Sequence, residues 1–230
     1  MKYSTAENLQ VLYEDNHIIA VNKRAGDIVQ GDKTGDKPLS DVVKEYIKKK
    51  YEKPGEVYLG VVHRLDRPTS GIVIFARTSK ALTRLNEKFK NRETRKTYWA
   101  VVKNKPSENA ATLVHYMTRN EKSNLSKAHV KEVPNSKVAS LEYAVIAELN
   151  NYFALEVELH TGRHHQIRAQ LSAIGSPIKG DLKYGFDRSN PDGSIHLHAR
   201  KLQLSHPVTK QELVIEADPP NDPVWNAVKK

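Results

Sequence analysis

The chain has 230 residues and no cysteine. That excludes disulfides, thiolate chemistry and cysteine zinc sites, and it fits a reducing cytoplasm. Long hydrophobic runs are missing too. No stretch approaches the ~20 apolar residues that span a bilayer, so no membrane partner is expected. The opening MKYSTAENLQVLYEDNH lacks the apolar centre of a secretion signal, which again points to the cytoplasm. Neither G-x-G-x-x-G nor G-x-x-x-x-G-K-[ST] occurs, so no nucleotide-phosphate loop is expected. No repeat or low-complexity tract stands out.

Acidic residues are also in deficit. Asp and Glu number 27 against 37 Lys and Arg, for a formal net charge of +10. An excess of that size suits a polyanionic partner, most often nucleic acid. It is unevenly spread: residues 80–105, KALTRLNEKFKNRETRKTYWAVVKNK, hold nine Lys or Arg against Glu87 and Glu93. A local basic stripe tracks a phosphate backbone better than diffuse charge does. An anionic membrane surface is the rival partner. However, the stripe runs into the strand-like YWAVV and so is not one amphipathic helix.

What is present is 38% hydrophobic, enough for one sizeable core. QVLYED and HIIAVNK read as paired strands, and DVVKEYIKKKY places Val42, Val43, Tyr46 and Ile47 at helical spacing. EVYLGVV and GIVIFAR read as strands. Thr78 or Ser79 can cap a helix carrying Leu82, Leu85 and Phe89 on one face. KTYWAVVK, LEYAVIAEL and YFALEVEL follow as strands, the last alternating Phe153, Leu155, Val157 and Leu159 against Ala154, Glu156 and Glu158. Thr161 can cap a helix over GRHHQIRAQLSAI that stops at Gly175. HLHARKLQL and QELVIEA close the chain as strands, before a short helix in DPVWNAVKK. Residues 26–38, 103–110, 119–137 and 185–194 read as loops within one domain. The pattern predicts an α+β fold around a largely antiparallel sheet.

Four segments can carry chemistry. HRLDRPTSG, residues 63–71, sets charge between two apolar runs. If 63–66 is extended, Arg64 and Asp66 point the same way, and Pro68 and Gly71 turn the chain. Such a turn is either a salt-bridged surface loop or a device that presents an ionised carboxylate at a cleft. LHTGRHHQIR crowds Arg163, His164, His165 and Arg168 near a helix start, where backbone N–H groups favour anions. Adjacent histidines project about 100° apart on a helix and make poor joint metal ligands, and HLH at 196–198 has no matching third ligand, so no metal is expected. PIKGDLKYG reads as a tight structural loop. In RKTYWAVV one of Tyr98 and Trp99 can join a core while the other faces a cleft, where an aromatic beside basic residues stacks on a base.

Together these segments resemble the pseudouridine synthases of the ribosomal-large-subunit synthase A type. HRLDRPTSG is similar to that family's HRLD-x-x-TSG signature, and RKTYWAVV to its K-x-Y-x-A-x-V segment. LHTGRHHQIRAQLSAIGSPIKGDLKYG is similar to its TGR-x-HQIR helix and GD-x-x-YG loop. HLHARKLQLSHPVT resembles its closing strands. The resemblance runs from about Val11 to Pro220. It implies a curved, mostly antiparallel mixed sheet with flanking helices and a central RNA-binding cleft. It places Asp66 at the nucleophilic aspartate, Tyr98 at the tyrosine stacked on the target base, and Arg168 at the arginine paired with the aspartate. Arg64 falls on the arginine that fills the gap left by a flipped nucleotide. His63, Arg163 and His165, beside these positions, are expected to contact substrate. There are departures: KRAG stands at 23–26 where the family often reads K-P-x-G, and His164 replaces a small hydroxyl residue. Many relatives carry an RNA-binding module first. Here strand-like sequence starts by Gln10, so a single catalytic domain over residues 1–230 is expected, with no separate module.

The implied reaction isomerises uridine in ribosomal or transfer RNA, with no net redox change, so no cofactor is expected. No protein partner is implied. The alternatives are a non-catalytic RNA-binding or ribosome-assembly protein on the same scaffold and an RNA hydrolase using Asp66 with His63 or His165. A nuclease usually needs several metal-binding carboxylates, and no acidic cluster accompanies these motifs.

Overall fold

The structure is a computed structural model and describes residues 3–32 and 34–229. In chain order the elements are β1 (Val11–Glu14), β2 (Ile18–Lys23), α1 (Leu39–Lys50), β3 (Gly60–Val61), β4 (Ser70–Ala76), α2 (Ser79–Asn91) and β5 (Thr94–Val102). Then come β6 (Ala110–Asn120), β7 (Leu125–His129), β8 (Lys137–Glu148), β9 (Phe153–Leu159) and α3 (Gln166–Ala173). A single 3-10 turn (Leu182–Tyr184), β10 (Leu197–Ser205), β11 (Glu212–Glu216) and α4 (Pro223–Val228) complete the chain. The fold is α+β with mostly antiparallel strands, as the sequence pattern predicts. The chain divides into two compact units. The first runs up to Arg95 and takes in Ala199–Pro220; the second is Lys96–His198 with the chain from Asn221 on.

In the first unit β1, β2, β4 and β10 lie side by side, with β11 added on β10 and β3 on β4. β2 and β4 pair antiparallel from Ile18↔Ala76 to Lys23↔Gly71. Their apolar side chains Ile18, Ala20, Ile72 and Ile74 form a core with Leu202, Leu204 and Ile215, sealed by Ala81 and Leu85 of α2. Burying a leucine such as Leu85 contributes roughly 1.5–3 kcal/mol. Thr78 caps α2 by accepting from Ala81 N–H at 3.2 Å, and Arg92 ends it in the left-handed region at φ 61°. The expected strand EVYLGVV shrinks to Gly60–Val61. At its C-terminal end a side chain takes over: His63 Nε2 accepts the Ile74 N–H at 3.1 Å, beyond the point where the backbone of β3 leaves β4.

In the second unit the order is β5-β9-β8-β6-β7. The segment 119–137, expected as a loop, contains β7, which pairs with β6 from Asn120↔Leu125 to Tyr116↔His129. LSKAH carries little strand pattern of its own. Packing decides it: Leu125 and Ala128 rest on Met117, Ala139, Ala169 and Tyr184. Ala154, expected on the wet face of β9, is fully buried. The helix expected to start after Thr161 starts at Gln166 instead. Gln166 Oε1 accepts from Thr161 Oγ1 (2.7 Å) and from Arg163 N–H (2.9 Å), so the intervening residues form a pinned loop rather than a first helical turn. No helix among the described residues is long and apolar enough to cross a membrane.

Candidate active site

Asp66, Arg64 and His63 belong to the first unit, on the turn between β3 and β4. Asp66 is half-buried, Arg64 is exposed and Leu65 between them is buried, the alternation expected of an extended segment. Thr69 N–H donates to Asp66 O at 3.0 Å and closes a four-residue turn over Arg67 and Pro68. Arg64 has no hydrogen-bond or ion-pair partner among the described residues. The His63 ring stacks on Phe89 of α2 (4.9 Å between centroids, 22° between planes) besides accepting from Ile74. His63 therefore holds the turn against the sheet. Arg67 pairs with Asp36 at 2.7 Å through its side chain, while its carbonyl oxygen accepts from Gly26 N–H at 2.8 Å.

Two further features shape this turn. Gly71 has φ +115°, and a Cβ there would lie 2.4 Å from the Ala199 carbonyl oxygen and 2.5 Å from its nitrogen. Only glycine lets β10 approach so closely. Lys23, at the end of β2, is 1% exposed. Its ammonium donates to the carbonyl oxygens of Arg24 (2.9 Å), Arg67 (3.1 Å) and Thr69 (2.7 Å). Burial pushes this lysine down from its ordinary range to about 7, against the pull of Asp27 and Asp66 and with the help of Arg67. The signal was a lone lysine ending a strand of otherwise buried residues.

Tyr98, Arg163, His165 and Arg168 belong to the second unit. Tyr98 sits on β5 opposite Val157 of β9 and is 9% exposed, whereas Trp99 turns the other way and donates from Nε1 to Glu156 at 3.2 Å. Arg168, on the first turn of α3, forms a two-pronged pair with Asp181: Nε to Oδ2 at 2.7 Å and Nη2 to Oδ1 at 2.9 Å. Both side chains are buried, at 5% and 1% exposure. The guanidinium also lies 4.9 Å from the Tyr184 ring centre. Asp181 was not singled out from the sequence, although it stands inside the GDLKYG loop. Tyr184 gathers the rest: its hydroxyl accepts from Ser126 N–H and is hydrogen-bonded to His165 Nδ1, each at 2.9 Å. The His164 ring stacks on His165 at 3.7 Å and its Nδ1 meets Ser126 Oγ at 2.8 Å. His165 itself takes φ +51° just before the helix. Arg163 donates from Nε to Val138 O at 3.0 Å.

The basic stripe is divided between the units. Arg84 donates to Pro207 O and Lys88 to Ser205 Oγ, while Lys80, Lys90 and Arg92 are exposed. Lys103 pairs with Asp187 and Lys105 with Glu148. No group of three or more metal-ligating side chains occurs among the described residues. His196 is engaged with Asn190 and Asp222.

A family model described as RNA pseudouridylate synthase matches residues 17–173. The tRNA pseudouridine synthase C of Salmonella typhimurium is 32% identical over 227 residues, which cover 91% of this chain and 85% of that protein. The ribosomal large subunit pseudouridine synthase C of Rickettsia bellii is 34% identical over 215 residues, which cover 92% of this chain and 68% of that one. Among solved structures, human RNA pseudouridylate synthase domain containing 4 matches with a TM-score of 0.79 at 25% identity, over 96% of this chain and 93% of that one. The chain belongs to the RNA pseudouridylate synthase family. It is an RNA pseudouridine synthase, an isomerase whose substrate is RNA.

Proposed function

We propose that Asp66 is the nucleophile of this synthase and that the target uridine is flipped out of its stack to reach it. The observation that carries the reading is the turn itself: a half-buried carboxylate on a braced loop, with an exposed, unpaired Arg64 two residues before it. Isomerisation breaks the bond between the sugar and nitrogen 1, turns the base, forms a bond to carbon 5 and releases the carbon-5 proton. Nothing is oxidised or reduced. Flipping costs roughly a few kcal/mol of unstacking. Arg64 fits the gap that the base leaves, and the exposed cations of α2 offset part of the cost through phosphate contacts. Tyr98 stacks on the base, which is worth ~1–3 kcal/mol. The family resemblance gives Arg168 the role of favouring the ionised form of the nucleophilic carboxylate. His63, Arg163 and His165 line the substrate path, and the catalytic unit acts without a cofactor in the cytoplasm.

The relatives' names point to a transfer RNA or large-subunit ribosomal RNA as substrate. Asp66→Asn keeps the size of the side chain and removes its charge. Release of tritium from carbon-5-labelled uridine in RNA should fall by at least ~10^3-fold, while RNA affinity stays within about threefold. Full turnover by that variant refutes the assignment. Mapping pseudouridine in total RNA with and without the gene identifies the site that disappears, and hence the substrate.

A further inference from the structure

Tyr3 is half in water, at 50% exposure, yet it is held on both sides. Asn8 Nδ2 donates to the Tyr3 carbonyl oxygen at 3.2 Å, and Asn8 Oδ1 accepts from Thr5 N–H at 2.9 Å. The next residue, Ser4, is buried and donates its N–H (3.1 Å) and its hydroxyl (2.6 Å) to Asp27. At the other end the Tyr3 hydroxyl accepts from the Arg67 side chain, which also pairs with Asp36 at 2.7 Å. No aromatic ring among the described residues stacks on Tyr3. A tyrosine that serves a core buries its ring and finds a partner for its hydroxyl. Here the main chain is anchored and the hydroxyl is held, while half of the residue stays in solvent.

The place where it is held matters. Arg67 directly follows Asp66, so the phenol lies about one arginine's length from the residue that carries the carboxylate. That span corresponds to a few nucleotides at ~3.4 Å per step along one strand. The charges nearby suit RNA. Arg64 is exposed and has no hydrogen-bond or ion-pair partner among the described residues. Arg24, which stands where the family often has proline, donates from Nη2 to Asn8 O at 3.3 Å. Asp36 is taken up by Arg67, Glu7 by Lys49 and Asp27 by Ser4. We propose that Tyr3 is a substrate-binding residue: its ring stacks on a base of the RNA close to the one that enters at Asp66, with Arg67 holding the phenol in place. This rests on the reading of the Asp66 turn as the place where the target uridine reacts.

A lone surface aromatic normally needs no explanation. The rival role for this one is a prop that steadies Arg67. The two roles differ in which atoms act. A prop works through its hydroxyl, and any variant without that group fails alike. A stacking platform works through its ring, and phenylalanine serves nearly as well. A ring also releases no counterions from the phosphates, so its loss weakens binding without changing the salt dependence. An anchored ring gives up little freedom when a base settles on it, which favours stacking.

The test uses the full chain and bulk RNA from cells lacking the gene, labelled with tritium at carbon 5 of uridine, with tritium release followed against RNA concentration. Tyr3→Ala should raise the half-saturating concentration by ~10-fold, more than it lowers the rate at saturation, with the salt slope of the parent. Tyr3→Phe should bring half-saturation back to within about threefold of the parent. A Tyr3→Ala chain within about twofold of the parent overturns the proposal, and so does a Tyr3→Phe chain as weak as Tyr3→Ala. A second measurement needs no variant. The parent chain is irradiated with the same RNA made with 5-iodouridine, then digested, and the adducts are read by mass spectrometry. An adduct on Tyr3 is expected; adducts on other residues without one on Tyr3 overturn the proposal. Asp66→Asn run in parallel separates the two failures. If that variant turns over, the assignment of Asp66 falls and the proposal with it. If it is inactive while Tyr3→Ala binds like the parent, only the role of Tyr3 falls.

Discussion

The two units hold their functional segments by different means. Around Asp66 the backbone is gripped directly, by one buried ammonium and by the amide N–H groups of Gly26 and Thr69. Around Arg168 the work is done mostly by side chains meeting side chains, Asp181 on the guanidinium, Tyr184 on His165 and Gln166 on Thr161, with the Ser126 N–H added on Tyr184. The difference teaches where rigidity is placed. Asp66 is held through the main chain of its own turn. A long arginine has many rotatable bonds, and only partners at its charged end can fix it.

That contrast can be broken by substitution, and the largest effect is expected in the second unit. Asp181→Ala leaves the buried Arg168 without the carboxylate that now takes two of its N–H groups. Unfolding in urea should show a loss of ~3 kcal/mol or more. A loss below about 1 kcal/mol would mean that the pair is not structural. In the first unit the corresponding weak point is the backbone. Gly71→Ala puts a methyl group 2.4 Å from the Ala199 carbonyl oxygen at φ +115°, and should cost about 3 kcal/mol, read in the same way.

A third measurement isolates Lys23. Its folded pKa, about 7, lies below the ordinary lysine value of 10.5. Between these values the unfolded chain holds a proton that the folded one has released, so folded stability rises with pH. The penalty of burying the charge is complete below about 7 and is relieved as pH climbs. Relative to Lys23→Met, the parent should gain ~2 kcal/mol between pH 7.5 and pH 9, compared by urea midpoints at the two values. A flat difference would show that Lys23 keeps its proton throughout. The smallest effect sharpens the second unit: Tyr184→Phe removes one hydroxyl from between Ser126 N–H and His165, which should cost ~1–2 kcal/mol. Proton exchange at the Ser126 amide should accelerate accordingly.

Much of the fold was legible because its signals are local. Thr78 as a cap, Gly175 as a stop and the alternation of Leu155 and Val157 depend on neighbours within a few residues. What escaped depends on distant partners. LSKAH becomes β7 only because Met117, Ala139, Ala169 and Tyr184 give Leu125 and Ala128 a surface to cover. EVYLGVV keeps only Gly60–Val61 as strand, and past Val61 a histidine ring takes the Ile74 N–H in place of a backbone partner. The first turn of α3 gives way to a loop because the Gln166 side chain binds Thr161 and Arg163 first. Site residues divide in the same way. The ordered motifs single out Asp66, Tyr98 and Arg168 as candidates, while Lys23 and Asp181 look like ordinary surface charges until their burial is known. Arg67, unexplained by pattern, turns out to pair with Asp36 by its side chain and to anchor the turn by its carbonyl.

The sequence by itself determined the chemistry on offer: no thiol, no nucleotide loop, a basic excess, and a carboxylate set in HRLDRPTSG. Those follow from which groups exist and in what order, and no folding changes them. Tertiary structure alone decided which charges are buried and what each one touches. The physical reason is desolvation: a lysine in water is an interchangeable charge, whereas a lysine taken out of water must find three acceptors, and here it finds two of them in the turn that carries Asp66 and the third at Arg24.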